Sequence, residues 1–104
     1  MVAPYNPPIK NQDFRFPIAL RSYADPAVFL TNPTLASGDV QLSKDGAAFA
    51  NLTTLPSVSP ASSGQVRADL TATEMNADEV MVRFKDQTSP PEWIEEWVAI
   101  ITTT

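Results

Sequence analysis

Residues 80–86 read Val-Met-Val-Arg-Phe-Lys-Asp, and their alternation decides the fold class. Val80, Val82 and Phe84 face one way, while Arg83 and Lys85 face the other, which is the period of two of a half-buried strand. A helix would gather its apolar residues at steps of three and four, and that pattern is nearly absent from the chain.

The same alternation extends outward. Val66-Arg67-Ala68-Asp69-Leu70 turns 66, 68 and 70 inward. Phe14-Arg15-Phe16-Pro17-Ile18-Ala19-Leu20-Arg21 turns 14, 16, 18 and 20 inward. Pro17 has no N–H for a ladder, so this strand is expected at a sheet edge or with position 17 turned outward. Gly38 to Ser43 alternates into Lys44-Asp45-Gly46-Ala47, where Asp-Gly supplies the positive φ of a tight hairpin, and Ala48 to Leu52 is the return limb. Val28-Phe29-Leu30-Thr31 is a further short strand candidate between Asp25-Pro26 and Asn32-Pro33. Leu55 to Gly64 is a Pro/Ser connection.

Thr71-Ala72-Thr73-Glu74 fits a capping box, which predicts one helical turn near residues 72–77. The last strand is expected from about Trp93 to Thr102. Both of its faces are mostly apolar around Ile100, so it should be covered on both sides. Ten prolines among 104 residues break helices and suit turns, strand edges and extended arms. Six or seven short strands at roughly 8–12-residue spacing predict an antiparallel β-sandwich, with a small barrel as the alternative.

One domain is expected at this length, with residues 1–12 as an extended Pro-rich arm and 13–104 as the sandwich. Hydrophobic residues make up 43%, enough for a folded core, and there is neither His nor Cys. That excludes the usual zinc sites, Ser–His and Cys–His nucleophile pairs, disulfides and haem or iron–sulfur ligation. A net charge of −5 with seven scattered Lys/Arg gives no basic patch, so nucleic acid is not an expected partner. The longest strictly apolar run, Val98 to Ile101, falls far short of the ~20 residues that span a bilayer, and Met1 to Asn11 lacks the features of a signal peptide. No membrane association, cofactor or metal is expected.

The acidic residues Asp78, Glu79, Asp86, Glu92, Glu95 and Glu96 concentrate near the last strands. They lack the spacing of a calcium loop, and adjacent glutamates on a strand face opposite sides, so they read as solvated strand ends. Asp39 and Asp45 read as turn residues. Asn51-Leu52-Thr53 matches a glycosylation triplet by chance. Trp97 is expected to fill the core; Trp93 either covers a core end or faces a neighbour. The arm offers Tyr5 and Ile9 as apolar anchors on a backbone stiffened by Pro7 and Pro8; it either frays or docks on a neighbouring subunit. An apolar end such as Ile100-Ile101 should be covered by a partner or pair back into the sheet. The candidate partner-binding residues are therefore Tyr5, Pro7, Pro8, Ile9, Trp93 and Ile101.

Gly38-Asp39-Val40-Gln41-Leu42-Ser43-Lys44-Asp45-Gly46-Ala47-Ala48-Phe49-Ala50-Asn51-Leu52 resembles a segment recurring in tailed-bacteriophage virion proteins. So does Leu70-Thr71-Ala72-Thr73-Glu74-Met75-Asn76-Ala77-Asp78-Glu79-Val80, followed by Val82, Asp86-Gln87 and Trp93. Ala47 departs from the glycine usual at that position. The resemblance covers roughly residues 14–102 and implies a small immunoglobulin-like β-sandwich used as a building block of the particle. It implies a non-enzymatic structural role as head decoration, neck or tail attachment, or fibre or spike adaptor, with many copies bound to other virion proteins after assembly in the host cytoplasm. The alternative is a carbohydrate- or host-surface-binding module using Trp93 and Tyr23.

Overall fold

The computed structural model describes residues 7–104. Among them are seven strands and no helix: β1 (Phe14–Ala19), β2 (Val40–Lys44), β3 (Ala50–Asn51), β4 (Ser57–Val58), β5 (Gln65–Leu70), β6 (Glu79–Phe84) and β7 (Glu96–Ile101). They form two antiparallel sheets, one ordered β1-β5-β4 and the other β3-β2-β6-β7. This is a two-sheet β-sandwich rather than a barrel, since among the described residues no strand pairing joins the two sheets into a closed ring.

The alternating residues meet between the sheets. Val66, Ala68 and Leu70 of β5 face Val80, Val82 and Phe84 of β6, with Leu20, Val40, Leu42, Met75, Ala77, Trp93 and Ile100 completing the buried cluster. Phe14, Phe16 and Ile18 of β1 pack partly buried against it, and the Phe16 ring meets Phe84 edge-on at 6.2 Å between centroids. β1 lies at a sheet edge, as Pro17 requires.

The hairpin turn has positive φ at Asp45 (50°) and Gly46 (81°). The Asp45 carboxylate accepts the N–H groups of Asp78 (3.1 Å) and Glu79 (3.0 Å), so the turn is also tied to the start of β6. A Cβ on Gly46 would meet nothing within 4 Å, so only backbone strain opposes a side chain there. Gly46→Ala is therefore expected to cost on the order of 1 kcal/mol, measurable by urea denaturation.

Two sequence expectations change. Val28–Thr31 forms no strand: it makes a single bridge between Phe29 and Arg21 inside a tight loop, and Val28 and Phe29 remain exposed. Residues 72–77 form hydrogen-bonded turns. The capping box itself is made, with Glu74 N–H donating to Thr71 Oγ1 and Thr71 N–H donating to the Glu74 carboxylate. Met75 N–H donates to Thr71 O and Asn76 N–H to Thr73 O, and β6 begins at Glu79, which leaves no length for a helix to propagate.

The later part of the arm lies against its own domain. Thr103 N–H donates to Pro8 O (2.9 Å), Lys10 N–H to Thr103 O (2.7 Å) and Asn11 N–H to Met75 O (3.0 Å). Ile9 thus pairs in parallel with Thr103, and Lys10 Nζ reaches the Asp78 carboxylate at 3.1 Å. Tyr5 and the rest of residues 1–6 lie outside the described residues.

Candidate interaction surface

Trp97, expected to fill the core, lies outside it, and of the two readings of Trp93 the core end is the one found. Trp93 is 1% exposed and its indole N–H donates to Phe84 O at 3.2 Å, whereas Trp97 is 51% exposed. The two positions have the same parity, but the chain is not one strand between them. Residues 92–94 pair with the segment that continues β1: Tyr23 N–H donates to Glu92 O and Ile94 N–H to Arg21 O, both at 3.0 Å. The regular ladder to β6 starts only at Glu96, and there Val98 and Ile100 take the inner side. Trp93 accordingly covers the core end, and Trp97 joins the outside.

Cross-strand register assembles the surface around Trp97. Arg83 lies opposite both Trp97 and Gln41, and Met81 lies opposite both Ala99 and Ser43. The side chains of Arg83, Met81, Trp97, Ala99 and Ile101 therefore share the outer face of the four-stranded sheet. Phe49, in the return limb of the hairpin, closes the group. Its ring meets Trp97 edge-on at 5.4 Å, and the Arg83 guanidinium lies 4.1 Å from the Phe49 centroid and 6.0 Å from that of Trp97. Arg83 also donates to the Gln41 side-chain oxygen. Held between two rings and an amide, the guanidinium is pre-oriented, and a partner need not supply the entropy of ordering it.

Beside this stack runs a groove of about 250 Å³ bounded by Phe49, Met81, Trp97, Ala99 and Ile101. Ile101 is 67% exposed on its rim. Such a face, apolar with aromatic and arginine anchors, has the composition of an interface centre rather than of ordinary surface. Phe49, Met81, Arg83 and Trp97 were not singled out as site residues in the sequence. The signal was the last strand's second apolar face, which does lie outward and uncovered among the described residues.

The remaining candidates fall elsewhere. Pro7, Pro8 and Ile9 are half-buried against the C-terminal end, at the far end of β7 from Trp97. Tyr23 is exposed beside an open cleft of about 460 Å³ between Pro26 and Pro91, but Trp93 is buried in its floor and presents no ring face to stack on a sugar.

The carboxylates are mostly structural. Asp39 accepts from Ala36 N–H (2.9 Å) and Gln87 N–H (3.0 Å). Asp86 accepts from Thr88 N–H and hydroxyl and from Glu92 N–H. Burial alone would raise its pKa, but these three donors outweigh burial and hold it below the ordinary carboxylate value. Among the described residues no three acidic side chains converge in a way that could hold a metal ion. No family model matches the chain, and no curated protein or solved structure matches it.

Proposed function

We propose that this protein is a non-enzymatic virion structural subunit that binds other virion proteins through the outer face of its four-stranded sheet. The observation that carries this reading is the pre-oriented Phe49–Arg83–Trp97 stack beside an apolar groove, on a face that the described residues leave open. Its chemistry suits a protein partner that contributes apolar side chains to the groove and acceptors to the guanidinium. The resemblance of residues 38–52 and 70–80 to bacteriophage virion proteins supplies the particle as the setting, in many copies, and the immunoglobulin-like sandwich is the fold that the resemblance implies.

The test is incorporation. Virus particles purified from infected host cells are expected to contain the chain in fixed proportion to the major structural protein. Phe49→Ala, which removes one wall of the stack and leaves the sequence of β7 unchanged, is expected to lower incorporation at least about tenfold while the circular dichroism of the isolated domain is retained. Particles that lack the wild-type chain, or that take up the variant equally well, overturn the proposal.

A further inference from the structure

A sandwich of two open sheets has four edge strands, and they are not equally protected. β1 carries Pro17 in its middle and the exposed Arg15–Asp69 pair beside it. β4 is two residues long and lies between Pro56 and Pro60, and β3 is also two residues long. Prolines, charges and brevity are the devices by which edges avoid pairing with another chain. β7 is the least protected: it runs six residues, its one charge is Glu96 at the start, and from Trp97 to Ile101 it reads Trp-Val-Ala-Ile-Ile, without proline or charge.

Its free side is defined by the hydrogen bonds at its end. Thr102 N–H donates to Asp78 O at the β6 side, and Thr103 N–H donates to Pro8 O on the opposite side. Even-numbered residues thus bond toward β6. Trp97, Ala99 and Ile101 turn their N–H and C=O groups to the open edge, where no strand follows β7 among the described residues.

We infer that this edge pairs antiparallel with β7 of a second copy of the chain, about a two-fold axis at Ala99. The inference rests on the assembly reading above and names one partner of that surface. In this register Trp97 lies opposite Ile101 of the second copy, Ile101 opposite its Trp97, and the two Ala99 residues meet at the axis. Every open-edge N–H and C=O from 97 to 101 then finds a partner. An aromatic residue meets a β-branched one twice, small side chains meet at the centre, and no like charges are opposed. The pairing stops before Thr103, which Pro8 and Lys10 of the same chain already occupy. The two four-stranded sheets become one continuous sheet, and the Trp97 stacks of both copies lie on one face.

Sedimentation velocity over a concentration series tests this, with the full chain and surface variants that leave the core intact. The wild type is expected to dimerise. Trp97→Glu and Ile101→Lys are each expected to raise the dimer Kd at least about tenfold. An equimolar mixture of the two variants, or one chain carrying both changes, is expected to regain the dimer, because only the antiparallel 97-to-101 register sets the new carboxylate opposite the new ammonium. A monomeric wild type, single variants that dimerise normally, or a mixture that fails to recover each overturns the inference. So does a chain that dimerises only after residues 1–6 are removed, since its own N-terminal segment would then be the occupant of the edge. Incorporation separates the two readings: a monomeric chain that still enters particles overturns the dimer alone, whereas a dimer with the predicted variant pattern that never enters particles supports the pairing and overturns the virion role.

Discussion

Trp93→Ala is expected to cost about 3–5 kcal/mol, the upper range for removing a large aromatic side chain from a core. A domain of this size has only about 5–15 kcal/mol in total, so the variant should be close to unfolded at 37 °C. Two losses combine. The ring is among the largest fully buried side chains, and its neighbours are held by both sheets and cannot collapse fully into the space. The indole N–H also joins residue 93 to Phe84 O at 3.2 Å, which ties the segment before β7 to the end of β6. Trp93→Phe separates these contributions: most of the volume stays and the hydrogen bond is lost, for about 1–2 kcal/mol. Trp97→Ala should shift the urea midpoint by far less, because that ring is half in solvent. Equal losses at 93 and 97 would contradict the placement of the two rings.

Asp86→Ala is expected to cost about 2–3 kcal/mol. The carboxylate receives Thr88 N–H at 3.0 Å, Thr88 hydroxyl at 2.8 Å and Glu92 N–H at 2.6 Å, closing the loop immediately before Trp93. Alanine leaves two backbone donors unsatisfied at the site that aims the core tryptophan. The native pKa of Asp86 lies below the ordinary value of 3.8, so the folded state binds this proton less readily than the unfolded chain does. Its stabilisation is therefore fully present above that ordinary value and is lost as pH falls through the lowered native one. The stability gap between the wild type and Asp86→Asn should be widest at neutral pH and should shrink below about pH 4, as read from denaturation curves at several pH values. A gap that stays constant in acid would show that the charge of Asp86 contributes nothing.

Much of this architecture is legible in the chain. The alternation in 14–20, 66–70 and 80–84 identifies the inward residues of three long strands, because a strand has only two faces and one must leave water. Asp45-Gly46 marks the hairpin because few residue pairs accept two positive φ angles in succession. The last strand was harder to read. From Trp93 to Ile101 both parities are apolar, so hydrophobicity alone cannot orient it. The break at Ile94–Glu95, where pairing passes from the β1 extension to β6, reverses the face without any local signal. Thr71–Glu74 shows the converse: the cap forms as its residues dictate, yet the start of β6 cuts off the helix it would begin.

Taken alone, the sequence determined the class, most of the longer strands and most of the core, since these follow from local conformational preference and the burial of alternate side chains. The tertiary structure decided which tryptophan is buried, which arm residues lie against the C-terminal strand, and which of four sheet edges is, among the described residues, long, free of proline and left without cover. Those outcomes depend on cross-strand register. It brings Phe49, Arg83 and Trp97 together from three separate parts of the chain, and no local pattern encodes a contact among residues that distant in sequence.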